Sequence, residues 1–318
     1  MRAAVSSRGG RASIVAMTVA RRVVPGSTYL LTRRCAGRRF LLRPDGVTNR
    51  IVAYCLARAM ADTGVEVHAL SVMSNHVHLV VTDLEGKLPV FAHELFRSIA
   101  MCIKDHHEVR ENVWADGSYS AVRLENEEAV LDKIVYVMAN PVAAGLVRTA
   151  REWPGMLSLP AELYGMEHRC ERPPVWFDAK TNPDELVLRY SVPPCSAGRD
   201  VDALVAALRH ELGEREKAAA ADRRQTGRRV LGAEAVRDTD PFASPSTEEI
   251  ERQRKRQRNP TFAAFTAEAS RAAAAALRAW RYAYAEALAA WRLGEHDTVF
   301  PHGTWWMRVF AGVEVAPG

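Results

Sequence analysis

The chain has 318 residues, is 48% hydrophobic and 25% charged, and carries a formal net charge of +5, the composition of an ordinary soluble globular protein of about two domains. No apolar run approaches the ~20 residues of a membrane span, and the five cysteines (Cys35, Cys55, Cys102, Cys170 and Cys195) are widely spaced with no CxxC, which argues against a disulfide framework or zinc knuckle and for a reducing, cytoplasmic setting. The positive balance is mostly arginine and admits an acidic partner such as nucleic acid, to which the guanidinium offers a bidentate fork.

Residues 1–24 read as a basic, disordered tail. Its short apolar patch is followed by Arg21 and Arg22 without a small-residue cleavage site, which does not suit a signal peptide. Met17 is an alternative start. Residues 28–34, TYLLTRR, and 39–42 read as an edge of a sheet with basic ends. Residues 48–63 carry apolar residues at helical spacing and stop at Gly64. Residues 65–72, VEVHALSV, alternate as a strand, MSN makes a tight turn, and 76–82, HVHLVVT, returns as the second strand of a hairpin. A second amphipathic helix covers 88–107, and YSAVRL at 119–124 is a short strand. Asn126 caps a helix that opens with Glu127 and Glu128, acids at the favourable end of the helix dipole. That helix is expected to end before Pro141.

The order strand, helix, strand, strand, helix, strand, helix predicts an α+β fold over residues 25–155: a ferredoxin-like antiparallel sheet with helices on one face. Residues 156–239 read as an irregular connection followed by a charged helical segment. Residues 240–260 read as a basic linker that contains RQRKRQR at 252–258. Residues 261–318 read as a largely helical extension whose aromatics belong to a core, closed by FPHGTWWMRVFAGVEV as a turn and a strand.

Chemistry concentrates in two places. In MSNHVHLVV, His76 and His78 are two apart on a strand, so both rings project from one face while Val77 points into the core behind them. Two neutral imidazoles so placed can chelate one metal ion. A pair of histidines merely tolerated at a strand start accounts for HVH equally well. In YVMANP, Tyr136 and Asn140 are at i and i+4, on one helix face. A phenol can act as a nucleophile and an amide oxygen is a hard ligand for Mg²⁺ or Mn²⁺. The plain alternative is a packed tyrosine and an asparagine that ends a helix.

Together, MSNHVHLVV and YVMANPVAAGLV resemble the two signatures of the HUH single-tyrosine transposases, and within them the REP-associated tyrosine transposase branch. The resemblance implies that residues 25–155 form an HUH catalytic domain. It implies His76 and His78 as metal ligands, Asn140 as the third ligand and Tyr136 as the nucleophile. It implies cleavage and transfer of single-stranded or hairpin DNA through a 5′-phosphotyrosine link, with Mg²⁺ or Mn²⁺, in a protein acting as a monomer. Two imidazoles and a neutral amide bring no negative charge, so weak metal binding completed by water and phosphate is expected. The rival readings are a domesticated, catalytically silent DNA-binding protein of the same fold and an unrelated metallohydrolase using His76 and His78. Among lesser candidates, His68 reads as a core histidine, His106 and His107 as a solvated helix end, and Tyr119 as a packing partner of Trp114. Arg33, Arg34, Arg38 and Arg39 can line a DNA groove or simply protect a sheet edge.

Overall fold

The alternating stretch 65–83 does form a hairpin, in a computed structural model that describes residues 20–246 and 260–318. Strands β2 (Glu66–Met73) and β3 (His76–Asp83) pair antiparallel from Glu66↔Thr82 to Met73↔His76, leaving only Ser74 and Asn75 in the turn. A bulge between Val67 and Ala69 shifts the register near the far end. Strand β1 (Ser27–Arg34) lies antiparallel to β3 on one side and to β4 (Ser120–Leu124) on the other. The two-residue β7 (Phe262–Ala263) adds parallel to β4, giving the order β2-β3-β1-β4-β7.

Two expectations for this region need correction. TYLLTRR is the centre of the sheet, because Tyr29, Leu30 and Leu31 are buried between neighbours on both sides, and its arginines come only at the strand's last two positions. Arg33 and Arg34 therefore do not guard an edge. Residues 39–42 are not a strand: after a tight 3-10 turn at Ala36–Arg38, Leu41 and Leu42 are buried from a loop, and Leu42 N–H bonds the Ser74 carbonyl at 2.9 Å. The true edge, β2, is covered: Val72 N–H donates to Met156 O, Ser158 N–H to Leu70 O and Ser191 N–H to Val67 O.

Helix α1 (Gly46–Thr63) starts on Asp45, whose carboxylate accepts from Thr48 N–H at 2.7 Å, and stops at Gly64 with φ 72°. Helix α2 (Leu88–His106) starts on the buried Asp83, which accepts from Lys87 N–H and Leu88 N–H at 2.8 Å each. The path β1-α1-β2-β3-α2-β4 with this strand order is the ferredoxin-like fold. Helices α1 and α2 pack on each other. Phe96 of α2 meets Tyr119, which places this pair on the face carrying Tyr29, Leu31, Val77 and Leu79.

Helix α3 (Glu127–Ala143) covers the other face and packs on β2 and β3. Asn126 caps it as expected, accepting from Ala129 N–H. It does not end before Pro141 but continues to Ala143. Proline's fixed φ suits a helix. It forfeits the hydrogen bond to the Val137 carbonyl, and burial of Pro141 and Val142 offsets that loss.

Strands β5 (Glu167–Glu171) and β6 (Glu185–Arg189) form a separate hairpin against α1, where Tyr54 OH donates to Pro183 O at 2.7 Å. Helix α4 (Val201–Thr226) packs along α3, and the short α5 (Ala233–Arg237) follows it. The chain divides into a unit of residues Val24–Ala279 and a unit of the remaining termini. In the latter, Ala287, Phe300, Met307 and Val313 form a small core with Tyr284 and Trp291. Helix α6 (Ala267–Arg292) contributes its last residues, from Trp280, to this unit. It starts later than the expected 261, because Phe262 and Ala263 are taken by β7. Trp280, Tyr284 and Trp291 are core as read, whereas Phe265 and Tyr282 are exposed.

The closing strand is instead a short helix, α7 (Trp306–Ala311), stopped by Gly312 at φ 65°, flanked by the isolated bridges Arg22↔Thr304 and Phe300↔Val315. RQRKRQR at 252–258 and residues 1–19 lie outside the described residues. Among those described, no helix is long and apolar enough to cross a membrane.

Candidate active site

The pairing of β3 with its neighbours puts His76 opposite Arg34 and Met73, and His78 opposite Thr32 and Ser71. The two rings project together, their centroids 4.8 Å apart and nearly perpendicular. Each is held from behind by its Nδ1. His76 Nδ1 lies 2.7 Å from Asn75 Oδ1, and His78 Nδ1 lies 2.8 Å from Thr32 Oγ1. The Asn75 amide group donates to the Arg38 carbonyl at 3.1 Å, so its oxygen is the acceptor and His76 Nδ1 must donate. That tautomer leaves a lone pair on His76 Nε2, the form a metal ligand needs.

The turn itself is pinned. Cys35 N–H donates to the Asn75 carbonyl at 2.8 Å, and Leu42 N–H to the Ser74 carbonyl. The loop that supplies these donors is held in turn by residues 239–244: Phe40 N–H donates to Ala243 O, Ser244 Oγ to Gly37 O and Arg43 Nη1 to Thr239 O. The start of the expected linker thus braces the loop under the histidines.

Burial drives both imidazoles toward their neutral forms. His76 is held well below the usual histidine range by burial first, then by the charges of His78, Arg34 and Arg38. His78 is pushed down to about 3 by burial and then by Arg34.

Helix α3 delivers the other half of the site. The Tyr136 ring meets His78 edge-on, centroids 5.5 Å apart, and stays 38% exposed. Asn140, one turn on, lies close enough to act on the phenol. Burial raises the Tyr136 pKa, while the Asn140 side chain and the Arg34 charge pull it back. Lys133 Nζ sits 5.7 Å from the Tyr136 ring centroid and pairs with Asp132, which also takes Arg215 from α4 at 2.6 Å.

The four residues singled out from sequence, His76, His78, Tyr136 and Asn140, therefore come together. Two imidazole nitrogens and an amide oxygen fit a divalent ion that keeps water or phosphate in its remaining positions. Among the described residues there is no group of three or more His, Cys, Asp or Glu placed to hold a metal. The site thus lacks the thiolates or third imidazole of a dedicated zinc centre.

The lesser candidates fall elsewhere. His68 is fully buried, its Nδ1 2.8 Å from the Ser191 carbonyl and its Nε2 2.8 Å from Thr82 Oγ1. His106 and His107 are half-buried rather than fully solvated: His106 lies 3.6 Å from the Asp45 carboxylate and His107 Nε2 3.1 Å from Leu41 O. Chain 41–45 returns past the end of α2 and covers them. Tyr119 packs on Phe96, which meets Trp114, on the opposite face of the sheet. Arg33 Nη1 donates to Gly117 O and Arg39 Nη2 to Asn112 O, away from the site. Arg34 and Arg38 act on the histidines. The supports Asn75 and Thr32 were missed. Asn75 was open to suspicion as the residue before a ligand histidine, whereas Thr32 depends on a strand register that no single strand displays.

No family model and no curated protein matches the chain. Among solved structures it is similar to a REP-associated tyrosine transposase bound to a REP hairpin, at 20% identity over 42% of this chain and 78% of that one, with a TM-score of 0.37. It is also similar to a Deinococcus radiodurans protein named as a transposase, at 22% identity over 33% of this chain and 85% of that one, with a TM-score of 0.27. The first belongs to the branch that MSNHVHLVV and YVMANPVAAGLV resemble.

Proposed function

We propose that residues 25–155 form a catalytic domain that cleaves and rejoins single-stranded DNA, hairpin-forming DNA included, through a 5′-phosphotyrosine link at Tyr136, a transposase activity. The observation that carries this reading is the convergence of His76, His78 and Tyr136, with ring centroids 4.8 Å apart for His76–His78 and 5.5 Å apart for His78–Tyr136, and with Asn140 acting on the phenol. A packed tyrosine or a tolerated histidine pair does not require that convergence.

In this reading His76, His78 and Asn140 hold Mg²⁺ or Mn²⁺, which when bound supplies Lewis acidity at the scissile phosphate. Tyr136 Oη attacks phosphorus, the Oη–P bond forms and the P–O3′ bond breaks. The phenol proton leaves to solvent, which the 38% exposure of Tyr136 permits. The departing 3′ oxygen takes up a proton. The phosphodiester energy is kept in the phosphotyrosine, so a 3′ hydroxyl of another strand can attack it and free Tyr136. A single nucleophile carries one link at a time, so two cleavages need two active sites or two rounds. Thr32 and Asn75 keep the two rings turned toward the reaction.

The test is covalent trapping. Purified protein is mixed with 3′-labelled single-stranded DNA carrying a fixed hairpin and randomised flanks, with Mn²⁺ or EDTA, and run on a denaturing gel. A shifted band that needs Mn²⁺ and disappears in Tyr136→Phe and His76→Ala supports the reading. Tight hairpin binding without any band identifies a catalytically silent DNA-binding protein instead. A band that persists in Tyr136→Phe overturns the assignment of the nucleophile.

A further inference from the structure

Arg34 ends β1 directly across from His76, on the face that carries His78 and Thr32. Its carbonyl accepts Ala115 N–H at 2.9 Å, which fixes the backbone from which the side chain leaves. Among the described residues it is the one charged group that acts on His76, His78 and Tyr136 alike, and none of their carboxylates acts on any of the three. Of the other cations near the site, Lys133 is paired with Asp132, and Arg38 acts on His76 but not on His78 or Tyr136. Among the described residues, no acid pairs with Arg34 within ion-pair distance and no hydrogen-bond partner satisfies its guanidinium.

An unneutralised guanidinium beside a pair of metal-binding imidazoles is unfavourable for the free protein, because it repels an entering dication. It becomes favourable when an anion arrives with or before the metal. The planar fork of arginine matches two oxygens of a phosphate.

We propose that Arg34 is a further catalytic residue that grips the phosphate attacked by Tyr136, and that it makes metal and DNA bind as a pair. This rests on Tyr136 being the nucleophile. The guanidinium would then share the phosphate with an ion held by His76, His78 and Asn140, so that charge developing on its oxygens is met by two positive groups. The same charge keeps the metal weak until DNA is present.

The experiment uses the full chain with Arg34→Gln and Arg34→Lys. Mn²⁺ alone is titrated into each protein and free Mn²⁺ is read by electron paramagnetic resonance. Adduct formation is then timed with the 3′-labelled hairpin library. Arg34→Gln is expected to bind Mn²⁺ about threefold tighter, on the scale of a unit charge acting on a dication through a wet site. It is expected to form adduct about 100-fold more slowly. Arg34→Lys keeps the wild-type Mn²⁺ affinity and recovers part of the rate. The opposite signs separate this role from a structural one, which lowers both quantities. Weaker Mn²⁺ binding in Arg34→Gln, or an adduct rate within about threefold of wild type, overturns the proposal while Tyr136 stands. Wild-type protein that binds Mn²⁺ and DNA without adduct removes the nucleophile assignment, and Arg34's role with it.

Discussion

Asn75 Oδ1 sits 2.7 Å from His76 Nδ1 while its amide nitrogen is tied to the Arg38 carbonyl. The amide cannot flip without losing both bonds, so the neighbouring histidine has one orientation and one tautomer. Asn75→Ala is expected to weaken Mn²⁺ binding by roughly tenfold to a hundredfold, the usual effect of removing a partner that orients a ligand. Asn75→Asp keeps the acceptor for His76 Nδ1 but loses the donor to the Arg38 carbonyl, and should fall between Asn75→Ala and wild type. Titration of Mn²⁺ into both variants decides the matter, and equal affinity for wild type and Asn75→Ala sinks the idea.

Asn140 gives a test of opposite sign. A carboxylate there adds negative charge to a donor set that has none, so Asn140→Asp should bind Mn²⁺ about tenfold tighter in the absence of DNA. If the affinity is unchanged, Asn140 serves the phenol alone and does not face the ion.

The central position of β1 is testable by stability. Leu31 is fully buried in the middle of the sheet. Leu31→Ala should cost about 2–5 kcal/mol by urea denaturation, the range for a large-to-small change in a core that cannot collapse around it. A loss under about 1 kcal/mol would return TYLLTRR to an edge.

What was legible in the sequence was local. The hairpin 65–83, the Asn126 cap and the two site motifs are written in alternation, capping chemistry and i, i+4 spacing, and each appears where expected. What failed depended on tertiary pairing. Arginines at the end of TYLLTRR suggested an edge because a strand alone does not show that both its sides are taken. Pro141 suggested a helix end because the burial that carries α3 past it comes from its packing against the sheet. The aromatic tail 305–310 alternates enough for a strand, yet burial of Met307 beside exposed Trp306 and Phe310 selects a helix.

His68 supplies a pH prediction away from the candidate site. Its Nδ1 faces a carbonyl and must donate, so Nε2 accepts from Thr82 Oγ1, which is itself 2.8 Å from Thr28 Oγ1. The ring is held neutral, and burial pushes its pKa down to about 4, with the Ser191 carbonyl opposing. The unfolded chain, with an ordinary histidine near 6.5, binds the proton more readily than the folded one. Stability from this group is therefore full above about pH 6.5 and is lost as pH falls toward 4, at no more than about 1.4 kcal/mol per pH unit. His76 and His78 titrate in the same direction, so the comparison is between wild type and His68→Gln rather than wild type alone. The variant should be less stable at pH 7.5, and the gap in unfolding free energy should narrow by about 2 kcal/mol on going to pH 5. Urea denaturation across that range measures it. A gap that stays constant would mean that His68 is not buried as the neutral ring described here.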